Sequence, residues 1–199
     1  MVKRKTLIGA IAGISIIAVS CILYVSLYKS PFEAYYSNIV KNLNRDKIKT
    51  EVRGEFERDY NYTELLQWVN DTLTFDKTYD DLQRAWTVDP LKIIENGRGQ
   101  CGEFAILYVS TCLAHGYDSR LVVATNVTDP NNWTDLHVWA EVKENGNWVH
   151  VDPAGVAWDN RDRYKNNETG SWGNYIGSTV KIYAFEKGRC EEVTLSYLS

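Results

Sequence analysis

The chain predicts an α+β fold, with helices packed on an antiparallel β-sheet that follows them in sequence. Two observations carry this expectation. Apolar residues recur at helical spacing through the first half, and then alternate residue by residue in the second. At the centre of the alternating half lies Asn145-Gly146, the strongest short-range signal for a two-residue hairpin turn.

In order along the chain, Lys3, Arg4 and Lys5 precede Thr6 to Tyr28, an uncharged run of 23 residues. As a helix such a run covers about 35 Å, enough to cross a bilayer, and it exceeds the apolar core of a cleavable signal. Residues 1–5 read as a basic cytoplasmic end and residues 6–28 as one transmembrane signal anchor. The positive-inside rule then puts everything after residue 28 outside a cell membrane that the chain spans once. Residues 29–60 read as a juxtamembrane helix or stalk, charged and exposed from Lys41 to Arg58, and residues 61–199 as the folded domain.

Within that domain, Thr63 to Leu73 carries Leu65, Leu66, Val69 and Leu73 at helical spacing, with Asn61 as the N-cap. Asp89-Pro90 breaks the chain before a short helix over Leu91 to Asn96. A glycine-rich turn, Gly97-Arg98-Gly99-Gln100, then runs into Cys101 and a helical stripe of Phe104, Ala105, Tyr108 and Cys112, which stops near His115-Gly116. Arg120 to Ala124 is a short apolar strand. His137 to Lys143 and Asn147 to Val151 form the hairpin. Thr179 to Phe185 and Glu192 to Tyr197 are expected to form a second one.

Without Lys3, Arg4, Lys5 and Lys29 the remainder has 18 basic against 26 acidic residues. A charge near −8 argues against nucleic acid or anionic headgroups as ligands. Beyond the apolar run lie Cys101, Cys112 and Cys190, an odd number that leaves at least one thiol unpaired within a monomer. A Cys112–Cys190 bridge is one option. There is no CxxC pair, and Asn-x-Thr sequons at Asn61, Asn70, Asn126, Asn132 and Asn167 suit a glycosylated exterior.

Cys101 falls at the start of a helix, where unpaired N–H groups and the macrodipole favour an anion. The thiolate is the form that attacks a carbonyl carbon. A two-residue turn at Asn145-Gly146 sets residue 144 opposite 147, Glu141 opposite His150 and Trp139 opposite Asp152. One face then carries Val138, Ala140, Val142, Val149 and Val151, and the other His137, Trp139, Glu141, Trp148, His150 and Asp152. On that second face His137 and Asp152 are diagonal neighbours, about 5–8 Å apart at Cβ. An imidazole oriented by a carboxylate is what a cysteine nucleophile requires. The same face can be read as a solvated polar surface, or its His137, His150 and Asp152 as a mononuclear metal site, although no HExxH-like helix supports a metal. His150 suits a structural pair with Glu141, and His115 a partner for the helix C-terminus.

Three blocks carry a resemblance: Gly99-Gln100-Cys101-Gly102-Glu103-Phe104-Ala105, Asp135-Leu136-His137-Val138-Trp139-Ala140-Glu141-Val142 and Trp148-Val149-His150-Val151-Asp152-Pro153. In order and content they resemble the transglutaminase-like superfamily of papain-like cysteine enzymes. Within it they look most like the peptide N-glycanases, whose cysteine block also continues Cys-Gly-Glu. The segments Trp172-Gly173, Tyr183-Ala184-Phe185 and Val193-Thr194 resemble the tail of those enzymes. The chain departs from the cytosolic N-glycanases by lacking CxxC pairs ahead of Cys101 and by the extra Leu136.

The resemblance implies a transglutaminase-like core with Cys101, His137 and Asp152 as a catalytic triad and no cofactor or metal. It implies an amidase, protease or acyltransferase working through a thioester on a protein, peptide or glycopeptide substrate. Trp68, Trp86, Trp133 and Trp139 are candidate groove residues. The alternative is a non-catalytic module binding glycans or peptides on the same scaffold.

Overall fold

A computed structural model describes residues 31–53, 60–76, 78–79, 89–125, 136–155, 157–158, 181–187 and 189–197. The apolar run over residues 6–28 lies outside them. Among the described residues no helix is long and apolar enough to cross a membrane.

Helices α1 (Pro31–Asn42), α2 (Arg45–Arg53) and α3 (Tyr62–Thr72) come first, followed by the two-residue strand β1 (Thr74–Phe75). Helix α4 (Pro90–Asn96), strand β2 (Arg98–Gly99) and the central helix α5 (Cys101–Ala114) follow. The rest is a sheet built from β3 (Ser119–Thr125), β4 (Leu136–Glu144), β5 (Asn147–Asp152), β6 (Ala157–Trp158), β7 (Lys181–Glu186) and β8 (Arg189–Glu192). Its order is β6-β5-β4-β3-β7-β8 with every neighbour antiparallel, while β1 and β2 pair in parallel by themselves.

The expected N-cap of α3 is present. Asn61 Oδ1 accepts from the N–H groups of Thr63 and Glu64, and Glu64 returns a bond to the Asn61 N–H, a complete capping box. Helix α5 departs from a single apolar stripe. Every residue from Glu103 to Ala114 is buried, so the helix is enclosed on all sides, as an all-round hydrophobic helix must be.

Helices and sheet share one core. Leu65 and Val69 of α3 meet Phe104, Leu107 and Tyr108 of α5 and the sheet residues Leu121, Val123, Val138, Ala140, Val142 and Val151. Tyr36 and Ile39 of α1 and Ile48 and Val52 of α2 belong to the same cluster. The helical reading of residues 31–44 agrees with α1, but uniform exposure from Lys41 to Arg58 does not describe Ile48 and Val52. These two form an apolar edge on an otherwise charged helix, one turn apart and facing α5. The Tyr36 hydroxyl donates to Ser119 O at 3.0 Å, pinning α1 to the start of β3. Burial, helped by the Glu186 charge, pushes that phenol up to about 12.

The other face of the sheet holds a second cluster of Val122, Ala124, Trp139, Ile182, Ala184, Val193 and Tyr197. The first hairpin has the expected register, with Glu141 opposite His150 and Glu144 opposite Asn147. Asn145 and Gly146 adopt φ of 50° and 87°, the left-handed pair that a tight type I′ turn demands. The second hairpin turns earlier than expected. Phe185 pairs with Cys190 and Glu186 with Arg189, so the return strand is Arg189–Glu192, and Thr194–Tyr197 is instead a 3₁₀ turn. That turn delivers Tyr197 into the second cluster, whereas a continued strand would have carried it past.

Candidate functional site

The approach to Cys101 is built from local rules. Asp89 Oδ1 accepts from Leu91 N–H at 3.0 Å and Pro90 opens α4, where its missing N–H costs nothing. Gly97 ends α4 with φ of 63°, its N–H bonded to Ile93 O and Ile94 O. Gly99 then passes so close to α5 that a Cβ there would lie 2.7 Å from Glu103 Cγ and closer still to Glu103 Cβ. Gln100, in extended conformation, is the N-cap of α5. Glu103, itself buried, turns back to accept the Gln100 N–H at 2.9 Å, and Gln100 Nε2 donates to Tyr79 O at 2.8 Å. Cys101 follows as the first residue of α5, partly exposed, at the positive end of the helix dipole.

His137, the second residue of β4, and Asp152, the last of β5, are both buried. His137 Nε2 stands 2.9 Å from Asp152 Oδ2, realising the diagonal that the hairpin register requires. With Nε2 committed to the carboxylate, Nδ1 is the ring nitrogen that can serve a second partner, and Cys101 is close enough to act on the ring. Burial pulls the imidazole toward its neutral form. Hydrogen bonds to Asp152 and Cys101, with their charges, outweigh it and raise the His137 pKa above its ordinary 6.5. Cys101, His137 and Asp152 are thus brought together from α5, β4 and β5.

Cys112 is a different thiol. It is fully buried, and burial pushes it up to about 12, so it stays protonated at any physiological pH. Cys190 lies exposed on β8, and no disulfide joins it to the buried Cys112.

Of the tryptophans expected at the groove, Trp68 and Trp139 are among the described residues. Trp139 is 1% exposed and packs as core, with its ring stacked on His137 at 5.6 Å between centroids. Trp68 is half-buried against the main cluster. Trp86, Trp133 and the sequons at Asn126, Asn132 and Asn167 lie outside the described residues, as do Trp172 and Gly173. Among the described residues no group of His, Cys, Asp and Glu is arranged to hold a metal ion. His115 caps α5, with Nδ1 2.8 Å from Thr111 O.

Sequence reasoning missed the buried polar chain beside the site. Arg120 Nε donates to Glu141 Oε2 at 2.6 Å, and Tyr197 donates to Glu141 Oε1 at 2.6 Å. Trp139 Nε1 donates in turn to the Tyr197 oxygen at 2.9 Å. Arg120 and Glu141 are direct cross-strand partners, and the Arg120 guanidinium also lies 4.2 Å from the Trp148 ring centre. Ten residues separate β3 from β4, so their register, and with it this ion pair, does not follow from spacing.

Residues 46–153 match the family model of the transglutaminase-like superfamily, a span that contains Cys101, His137 and Asp152. Curated relatives include the peptide-N(4)-(N-acetyl-beta-glucosaminyl)asparagine amidases of Oryza sativa, 32% identical over 96 residues, and Arabidopsis thaliana, 37% identical over 96 residues. Each alignment covers 47% of this chain, but only 19% and 12% of the respective relative, so the chain spans under a fifth of their length. Among solved structures, a candidate protease from Parabacteroides distasonis has the same fold, with a TM-score of 0.51 at 13% identity. That match covers 81% of this chain and 30% of the other.

Proposed function

Because the chain belongs to the transglutaminase-like superfamily, we propose that it is a cysteine enzyme acting on amide bonds, with Cys101 as nucleophile, His137 as acid and base, and Asp152 as the group that orients His137. The observation that carries this reading is one buried imidazole, hydrogen-bonded to a buried carboxylate and with its pKa raised by both that carboxylate and Cys101.

In the first half-reaction the Cys101 sulfur attacks a carboxamide carbonyl carbon. Backbone N–H groups at the start of α5 supply hydrogen bonds to the oxyanion that forms. The C–N bond breaks as His137 protonates the departing amine, leaving a thioester. In the second half, His137 takes a proton from water or from an amine, which displaces the sulfur and releases the acyl group. Asp152 stays ionised and holds the ring with Nε2 toward itself and Nδ1 toward the sulfur. Water as the second nucleophile makes the enzyme an amidase or protease, and an amine makes it an acyltransferase. Similarity to asparagine amidases acting on N-acetylglucosaminyl asparagine favours glycosylated asparagine or peptide amides as substrates.

The test uses the full chain in detergent, offered glycopeptide, peptide and glutamine-plus-amine substrates in parallel. Cys101→Ala abolishes turnover of whichever is accepted, and in the wild type iodoacetamide labels Cys101 ahead of Cys190 and Cys112. Activity retained in the alanine variant would eliminate the proposal.

We further propose that residues 6–28 anchor the chain in a cell membrane with the remainder outside. The support is the uncharged 23-residue run behind Lys3, Arg4 and Lys5. The chain should resist extraction by alkaline carbonate, while protease added to intact cells removes its C-terminal part. Release into the carbonate wash would refute the anchor.

A further inference from the structure

The catalytic reading uses one face of the His137 imidazole edge and leaves its flat side unexplained. That side is covered. The Trp139 ring lies 5.6 Å away, centroid to centroid, at an interplanar angle of 28°, so the two rings are stacked. Both are nearly inaccessible, at 4% and 1% exposure. An indole face carries the negative part of its quadrupole toward whatever stacks on it, and indole is the strongest of the aromatic side chains in attracting a cation.

The indole itself is tied down. Its N–H donates to Tyr197, the Tyr197 hydroxyl donates to Glu141 Oε1, and Glu141 Oε2 is held by Arg120. Three side chains, from β3, β4 and the C-terminal 3₁₀ turn, thereby form a chain that ends on the indole ring. A buried ion pair and two buried hydroxyl or indole bonds are costly to assemble and need a use. Packing alone would be met by an apolar residue at each place.

We propose that Trp139 is a positioning residue for His137: its indole, anchored through Tyr197 and Glu141, fixes the plane of the imidazole and stabilises its protonated form. The proposal rests on His137 being the catalytic imidazole. Among the described residues, the charged and titratable groups that face the pair are Cys101 from α5, Asp152 and His150 from β5, Glu141 on β4, Tyr197 from the 3₁₀ turn and, behind Glu141, Arg120 from β3. Asp152 and Cys101 act on the ring edge; the indole acts on the ring face.

The chain has three histidines, so histidine-selective isotope labelling of the full chain in detergent gives three ring titrations, assigned with His115→Gln and His150→Gln. The expected order of the His137 pKa is wild type, then Trp139→Phe, then Trp139→Leu, falling by about one unit from first to last. Phenylalanine keeps a π-face but a weaker one, and so rescues in part; a merely structural role gives no such gradation. If the leucine variant does not melt cooperatively, the phenylalanine variant against wild type decides alone. An unchanged His137 pKa in the folded variants, with iodoacetamide still selective for Cys101, would overturn this inference and leave the proposed function standing. Lost selectivity for Cys101 in the wild type would instead remove the proposed function.

Discussion

At the residue scale, the proposed mechanism takes its pH dependence from His137. Asp152 and Cys101 raise the pKa of a buried imidazole that burial alone would lower. The ring therefore stays protonated, and able to hold a thiolate beside it, to a pH above 6.5. Asp152→Asn removes a charge that favours the imidazolium, so the alkaline limb of kcat/KM moves to lower pH, and activity at neutral pH falls about 100-fold. A pH–rate profile with an unmoved alkaline limb would contradict this. Much of this pair was legible in sequence. Asn145-Gly146 fixed the hairpin register, and the register alone set His137 diagonal to Asp152. The ion pair of Arg120 with Glu141 was not legible, because it depends on how β3 aligns with β4 across a long connection.

At the element scale, the turn into α5 is a matter of clearance. Gly99 runs against Glu103, and Glu103 must keep its place to hold the Gln100 N–H. A methyl group at position 99 meets the Glu103 stem, which lies close to the helix backbone and cannot swing away. Gly99→Ala should lower stability by about 1–3 kcal/mol and cut turnover more than the stability loss explains, since the N-terminus of α5 shifts. Denaturant melts alongside rates at saturating substrate check both parts. The sheet offers a lesson about alternation. Its second face, with His137, Glu141, His150 and Asp152, reads as polar and thus as solvated, yet all four are buried. The segment from Val193 to Tyr197 lies over that face, and its covering role has no signature in a period-2 pattern.

At the scale of the whole molecule, the helices ahead of residue 61 belong to the same core as α5 and the sheet. Ile48 is fully buried between α2 and α5. Its replacement by alanine removes about three methylene equivalents from a packed site, and Ile48→Ala should cost about 2–4 kcal/mol, read as a fall in the denaturant midpoint at unchanged slope. A change under 0.5 kcal/mol would mean that these helices are appended to the domain and not integral to it. The order of helices before sheet was legible because it needs only local period. Burial of α2 was not, since two apolar residues among many charges give too little contrast for a pattern to register.

Enclosure of α5 has a bearing on adaptation. From Glu103 to Ala114 no position faces water, so the seat of the proposed nucleophile is dictated by a dozen buried positions at once. Libraries aimed at new substrates would find no tolerance along that rod. Any retargeting of the proposed activity has to be written into the segments around its sulfur-bearing tip, leaving the rod itself untouched.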